Sequence, residues 1–137
     1  MATTIRCARA TDVPDVLALW RESGAEPTHT DDAESLLRLI RHDPEALVVA
    51  EVDDHVVGSV IAAWDGWRGS VYRLVVSPGH RREGLGRRLV EAAETRLADA
   101  GALRVQAIVV GTDPRATGFW RATGWEQQVG RLRFVTG

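Results

Sequence analysis

The chain has no lysine; all 17 of its basic residues are arginine. It has one cysteine, one methionine and one tyrosine, and two phenylalanines beside five tryptophans. A single cysteine, Cys7, cannot form an internal disulfide. The 137 residues, 45% hydrophobic, must therefore be held by an ordinary apolar core, as one domain spanning 1–137. The first thirty residues hold no apolar run long enough for a signal peptide or a membrane span, so the cytoplasm is the expected compartment and no membrane is expected as a partner. A net charge of −2 excludes the broad basic face of a nucleic-acid binder, so no nucleic-acid partner is expected, and no metal either. The lack of lysine, in a chain rich in alanine and glycine, reads as coding bias rather than selection.

What is present is periodic. "TTIRCARA" alternates as a first strand does, and "TDVPDVLALWRESG" follows with Thr11 or Asp12 as N-cap and Val13, Val16, Leu17 and Trp20 on one helical face. A second, short helix starts at Asp31, with Leu36, Leu37 and Ile40 at helical spacing, and ends near "RHDP". "EALVVAEVDDHVVGSVIAAW" is a hairpin turning at Asp53 and Asp54, and "VYRLVVSP" is a strand stopped by Pro78. Leu85, Leu89, Ala93 and Leu97 share a face of a helix that Gly101 ends. "LRVQAIVV" is an apolar strand reaching Val110, "RATGFWRATG" a short helix stopped by Gly124, and "WEQQV" and "RLRFV" are closing strands. This order implies one α/β domain with a mixed, mostly antiparallel sheet. A central parallel strand pair, made by the crossover from Val71 to Val110, is flanked by helices. Exposed closing strands near Arg131 to Val135 would offer an edge for a homodimer.

Charge and backbone freedom concentrate at one helix start, "SPGHRREGLGRRLV". The first turn of a helix leaves four N–H groups without partners and carries about half a positive charge. Gly84 and Gly86 remove Cβ atoms from beside those groups, while Arg81, Arg82, Arg87 and Arg88 supply charge, a composition suited to pyrophosphate. Spacing excludes two common cradles. The P-loop needs a lysine, and the dinucleotide fingerprint needs a glycine where Leu89 stands. The same residues also admit a plain turn with a solvated basic face.

The segment resembles the acetyl-CoA signature of the GNAT family of N-acetyltransferases: Arg81, Gly84 and Gly86 stand in R-x-x-G-x-G, directly after a strand ending in valines and a proline. The hairpin before it and "FWRATGW" after it match the family in order, so the resemblance covers nearly the whole chain. "AAWDGWRGSVY" resembles a turn of small stand-alone bacterial members. The resemblance implies the GNAT fold, acetyl-CoA as acetyl-donor cosubstrate, and direct transfer to a primary amine. It implies that the main chain of Leu74, Val75 and Val76 binds the pantetheine arm. The N–H groups of Arg82, Glu83, Gly84, Leu85, Gly86 and Arg87 would hold the pyrophosphate, with Arg81 in the motif, and an N–H near Val75 or Val76 would stabilise the oxyanion. The family tends to have an asparagine before the last helix and a tyrosine within it; here Asp113 and Trp120 stand at those cofactor-side positions. An indole can steady a sulfur but cannot act as the acid that protonates a leaving thiolate.

For the proton of the amine the sequence offers Glu26, His29, Asp65 and, through water, Tyr72, with Arg73 expected on the opposite face of the strand from Tyr72. Each has an ordinary reading beside the catalytic one: a solvated side chain, or for Tyr72 a half-buried strand aromatic. "AEPTHTDDAES" brings Glu26, Asp31, Asp32 and Glu34, with no basic residue but a histidine, to the segment that walls the acceptor site in this family. Such a wall would favour a cationic amine, although the same acids would also cap the second helix. The turn "WDGWRGS" is expected to open toward the same cleft. Cys7 lies far in sequence from the cofactor turn, so a covalent acetyl-cysteine route has no support. A non-catalytic acyl-CoA-binding module, motivated by Trp120, and a nucleotide-binding protein are the alternatives to the enzyme. Neither fold nor cofactor turn specifies the acceptor.

Overall fold

Alternation and tight turns build the sheet. The computed structural model describes residues 2–109 and 113–137. In it β1 (Thr3–Cys7), β2 (Leu47–Val52), β3 (His55–Trp64), β4 (Gly69–Val76) and β5 (Val105–Ala107) form one sheet in the order β1-β2-β3-β4-β5. The first three junctions are antiparallel and β4–β5 is parallel, which makes the expected mixed, mostly antiparallel sheet. Asp53 and Asp54 both take positive φ, 50° and 63°, as a two-residue hairpin turn between right-twisted strands requires.

The chain falls into two compact units, Met1–Ala107 and Ile108–Gly137. The first carries the sheet with α1 (Val13–Glu22), α2 (Ala33–His42) and α3 (Leu85–Ala100). Residues of β2 alternate between two cores. Leu47 and Val49 pack with Val13, Val16, Leu19, Trp20 and Leu36 of α1 and α2, while Ala50 lies on the side where Leu89 of α3 meets Gly58. α2 begins at Ala33 because Asp32, rather than Asp31, caps it, its carboxylate accepting the Ser35 N–H at 2.7 Å. The second unit carries α4 (Pro114–Ala122).

Two expectations about the end of the chain need correction. Residues 125–137 form no strand, and Val129, Leu132, Phe134 and Val135 are exposed, so the edge suggested for a homodimer has no strand to supply it. Alternation makes a segment fit for pairing, but a strand exists only where a neighbouring edge completes its hydrogen bonds. β5 is also shorter than "LRVQAIVV", and Val110, the last residue of that stretch, lies outside the described residues. Among the described residues no helix is long and apolar enough to cross a membrane.

Glycine lets α3 approach the sheet. A Cβ on Gly58 would stand 2.9 Å from Leu89 Cδ1 and 3.3 Å from Ala50 Cβ, and one on Gly69 2.7 Å from Leu97 Cδ1. Leu89 and Leu97 are fully buried and cannot swing aside. Gly58→Ala should therefore destabilise by ~1–3 kcal/mol, read as a lower denaturant midpoint at unchanged slope.

At the sheet's outer end Arg6 of β1 bridges two acids, donating to Asp12 at 2.8 and 3.0 Å and to Glu51 at 2.6 Å. The Arg6 guanidinium first, with the Arg9 N–H, holds the Asp12 carboxyl below the ordinary carboxylate range. A depressed folded-state pKa stabilises above the unfolded value of 3.8 and the contribution is lost as pH falls through the folded one. The stability gap between wild type and Asp12→Asn, followed by urea unfolding, should be widest near neutral pH and narrow below pH 3.8.

Candidate active site

β4 departs from regularity at one point. It pairs with β3 through Ile61↔Tyr72 and then Ser59↔Val75, so Val60 alone faces both Arg73 and Leu74, and Arg73 takes φ 52°. This is a β-bulge. On its other edge β4 pairs with β5 only through Gly69, Ser70 and Val71. From Tyr72 to Val76 that edge has no strand partner among the described residues; Val75 turns its main-chain groups to Ser59 of β3, so the Leu74 carbonyl and the main-chain groups of Val76 are offered along the edge. An extended amide-bearing chain such as pantetheine could pair there.

The unpaired edge leads straight to the helix start. After β4 a 3-10 turn (Pro78–His80) brings the chain to Arg82 and Gly84, both left-handed at φ 67° and 78°. Gly84 is the N-cap of α3 and offers no side chain, and the first turn of α3 contains no acid. Its first N–H groups are thus left for an anion, next to the positive end of a 16-residue helix. A Cβ at Gly84 would meet nothing within 4 Å; the space beside it is open, and what bars a side chain is the left-handed backbone. Arg82 and Arg87 are exposed, Leu85 is buried under the turn, and Glu83 is drawn to His80 Nδ1 at 3.3 Å. Arg81 lies less at the rim than expected: its guanidinium donates to the Ser23 carbonyl at 3.3 Å and so ties the turn to the C-terminal end of α1.

The acceptor-side candidates separate. Tyr72, 40% exposed, pairs with Ile61, which packs against the α1/α2 core, and the Arg73 guanidinium stacks 5.0 Å from the Trp20 ring of the same core. The two side chains therefore share a side of the sheet instead of taking opposite ones, because the bulge interrupts the alternation. Arg73 also donates to the Glu26 carbonyl (2.8 Å), to Thr28 Oγ1 (3.3 Å) and to the Asp31 carboxylate. The acidic wall is consequently much weaker than its sequence suggests: Arg73 neutralises Asp31, Asp32 caps α2, and Glu34 lies 3.8 Å from Arg38. Glu26 and His29 are exposed, and the Glu26 carboxylate has no partner among the described residues.

Asp65 has a different task from the one expected. Its Oδ1 accepts the Arg68 N–H at 2.6 Å and the Trp67 N–H at 2.7 Å, and these two bonds hold its pKa below the ordinary carboxylate value. A carboxylate so engaged is a poor proton acceptor. The turn it shapes, over residues 65–68, also joins β4 at Gly69, roughly 20 Å along the strand from Val76. The turn thus stands at the paired end of β4 rather than at the opening.

In the second unit, Asp113 caps α4, accepting the Arg115 N–H at 3.0 Å and the Ala116 N–H at 3.3 Å. Trp120 is half-buried and makes edge contacts with Phe119, at 5.6 Å between ring centres, and with Trp125 at 4.7 Å. Both residues thus have local work that stabilises α4.

Sequence reasoning missed Ser59. Its hydroxyl is fully buried, accepts from Trp20 Nε1 at 2.8 Å and donates to the Arg73 carbonyl at 2.9 Å. A lone hydroxyl inside the apolar run "VVGSVIAAW" was the available signal, since a buried polar group needs partners.

An open strand edge offers main-chain groups to an extended chain, and the helix start beside it offers N–H groups to an anion. The model of the acetyltransferase (GNAT) family matches residues 13–125, and the chain belongs to that family. It is 31% identical over 124 residues to an acetyltransferase of Sodalis glossinidius, covering 90% of this chain and 87% of that one. It is 32% identical over 124 residues to an uncharacterized N-acetyltransferase of Yersinia pestis, covering 90% and 88%. In fold it is similar to the paiA N-acetyltransferase of Thermoplasma acidophilum, solved in complex with coenzyme A, with a TM-score of 0.84 and 18% identity over 93% of this chain and 92% of that one. The protein is an N-acetyltransferase of GNAT type, and the acetyl donor of the family is acetyl-CoA.

The turn supplies a direct check. Gly84→Val should be strained by ~1–3 kcal/mol at φ 78° and reduce coenzyme A affinity at least tenfold by calorimetry, with the far-ultraviolet circular dichroism spectrum unchanged. Gly86→Val should weaken binding in the same assay.

Proposed function

We propose that the protein transfers the acetyl group of acetyl-CoA directly to a primary amine, in the cytoplasm, with the two units acting as one acetyltransferase domain. The observation that carries this reading is the continuity of the β4 edge, without a strand partner among the described residues beyond Val71, with the left-handed start of α3, which no side chain caps. The family match, running across the boundary between the units, supports it.

Acetyl-CoA supplies a thioester carbonyl and a thiol leaving group. On the protein side, the main chain from Leu74 to Val76 orients the pantetheine arm, and the Val76 N–H, which points away from β3 while that of Val75 points toward it, faces the carbonyl oxygen as charge develops on it. The N–H groups from Arg82 to Arg87 hold the pyrophosphate, with Glu83, Gly84, Leu85 and Gly86 as their carriers and Arg81 as the anchor of the turn. Glu26 takes the proton of the amine, directly or through water. It is the acid of its segment without a partner, and Arg73 holds its backbone against the bulge beside Tyr72. The Tyr72 hydroxyl orients the amine. Asp65 is assigned to its turn, and Asp113 to the cap of α4. Trp120 is assigned to its ring contacts with Phe119 and Trp125, and the low basicity of a thiolate lets it leave without a dedicated acid.

The test follows free thiol while the protein is incubated with acetyl-CoA and a panel of small amines, amino acids, aminoglycosides and peptides. Amine-dependent release is expected, together with greater thermal stabilisation by coenzyme A than by ATP or NAD. Binding without release on the whole panel would leave only a binding module. Glu26→Gln should lower kcat about 10²-fold at neutral pH with coenzyme A affinity unchanged, while Tyr72→Phe should cost less.

A further inference from the structure

The bulge that shapes the opening is not held by its own strand. Trp20 of α1 donates its indole N–H to Ser59 of β3 at 2.8 Å, and the Ser59 hydroxyl passes its own hydrogen to the Arg73 carbonyl at 2.9 Å. The Arg73 side chain then returns over the Trp20 ring and ends on the Glu26 carbonyl, Thr28 and Asp31. Trp20 is 3% exposed and Ser59 not at all, so the bond between them is made where water cannot replace it, and the Ser59 hydroxyl donates to Arg73 from a fully buried position. The ring of contacts closes across three elements, and its members differ in what they touch. The Arg73 backbone begins the β4 edge opposite the thioester, and its guanidinium holds the segment that carries Glu26.

We propose that Ser59 is a positioning residue. By holding the Arg73 carbonyl at left-handed φ, it sets the β4 edge and the 26–31 segment relative to each other, and hence the acetyl carbonyl relative to the attacking amine. This rests on the acetyltransfer reading given above. The residue touches neither substrate, and the phosphate turn at 82–87 does not depend on it, so its loss should appear in turnover and not in coenzyme A affinity. A displacement of a reacting group by about 1 Å can cost 10²-fold in rate, so the effect should be large for a single buried hydroxyl.

The test compares Ser59→Ala, Ser59→Thr and wild type in three measurements. The first is kcat and KM for the most active amine of the panel, the second coenzyme A affinity by calorimetry, and the third amide hydrogen exchange resolved by segment. Ser59→Ala should lose at least tenfold in kcat while coenzyme A affinity stays within about threefold. Exchange should accelerate at 26–31 and 73–76 and stay unchanged along α3. Ser59→Thr, which keeps the hydroxyl, should recover most of the loss. If Ser59→Ala does not fold, Arg73→Met takes its place, with the same fall in kcat and the same faster exchange at 26–31. Wild-type kcat and exchange in a folded Ser59→Ala would overturn the proposal, as would affinity and kcat falling together with exchange rising throughout the sheet. Failure of the wild type itself to release thiol with any amine would refute the acetyltransfer reading, and the exchange pattern would then decide the coupling alone.

Discussion

A strand that turns left-handed at one residue cannot keep regular pairing on both of its edges, and β4 does so at Arg73. On the β3 side the ladder absorbs the extra residue and resumes at Ser59↔Val75. On the β5 side pairing runs only to Val71, and among the described residues the rest of the strand has no strand partner there. The side of the sheet on which Arg73 lies with Tyr72 and its tether on the 26–31 segment follow from that one irregularity. Without the bulge, Arg73 would alternate to the side of the sheet away from Tyr72 and lose its contacts with Trp20 and the 26–31 segment.

An irregular backbone at a buried position persists only where its surroundings over-determine it. Here they do so with few polar groups. Among the described residues Ser59 and Asp12 are the buried polar side chains, and both are bonded, one to the bulge and the other to Arg6. The remainder of the core is aliphatic, with α3 pressed onto the sheet at Gly58 and Gly69. The scaffold is thus densely packed where α3 meets the sheet, while the ladders shift register at Ala50/Glu51 of β2 and at the bulge of β4.

The turn at the start of α3 was legible in the sequence because its geometry is local. Glycine at a left-handed N-cap, a first turn without acid and arginines nearby are properties of consecutive residues, so spacing alone could separate this turn from a P-loop. The hairpin at Asp53 and Asp54 was legible for the same reason. Asp65 was misjudged because a carboxylate beside two tryptophans and an arginine looks like a cleft residue, whereas its oxygen is taken by the two N–H groups that follow it. The closing strands at 125–137 were misjudged because strand propensity says nothing about whether an edge is there to receive them.

By itself the sequence determined the order of elements from β1 to α4, the parallel crossover and the family, all of which depend on contacts within a few residues or on a motif of fixed spacing. Only the tertiary structure decided what the acids near the acceptor do. Asp31 is answered by an arginine 42 residues away, and the hydroxyl that holds the bulge bonds partners 39 and 14 residues distant. Hydrogen bonds between side chains so far apart leave no periodicity in the chain. They exist because a bulged strand, a helix and a loop are brought within about 3 Å of one another by the packing of the apolar residues around them.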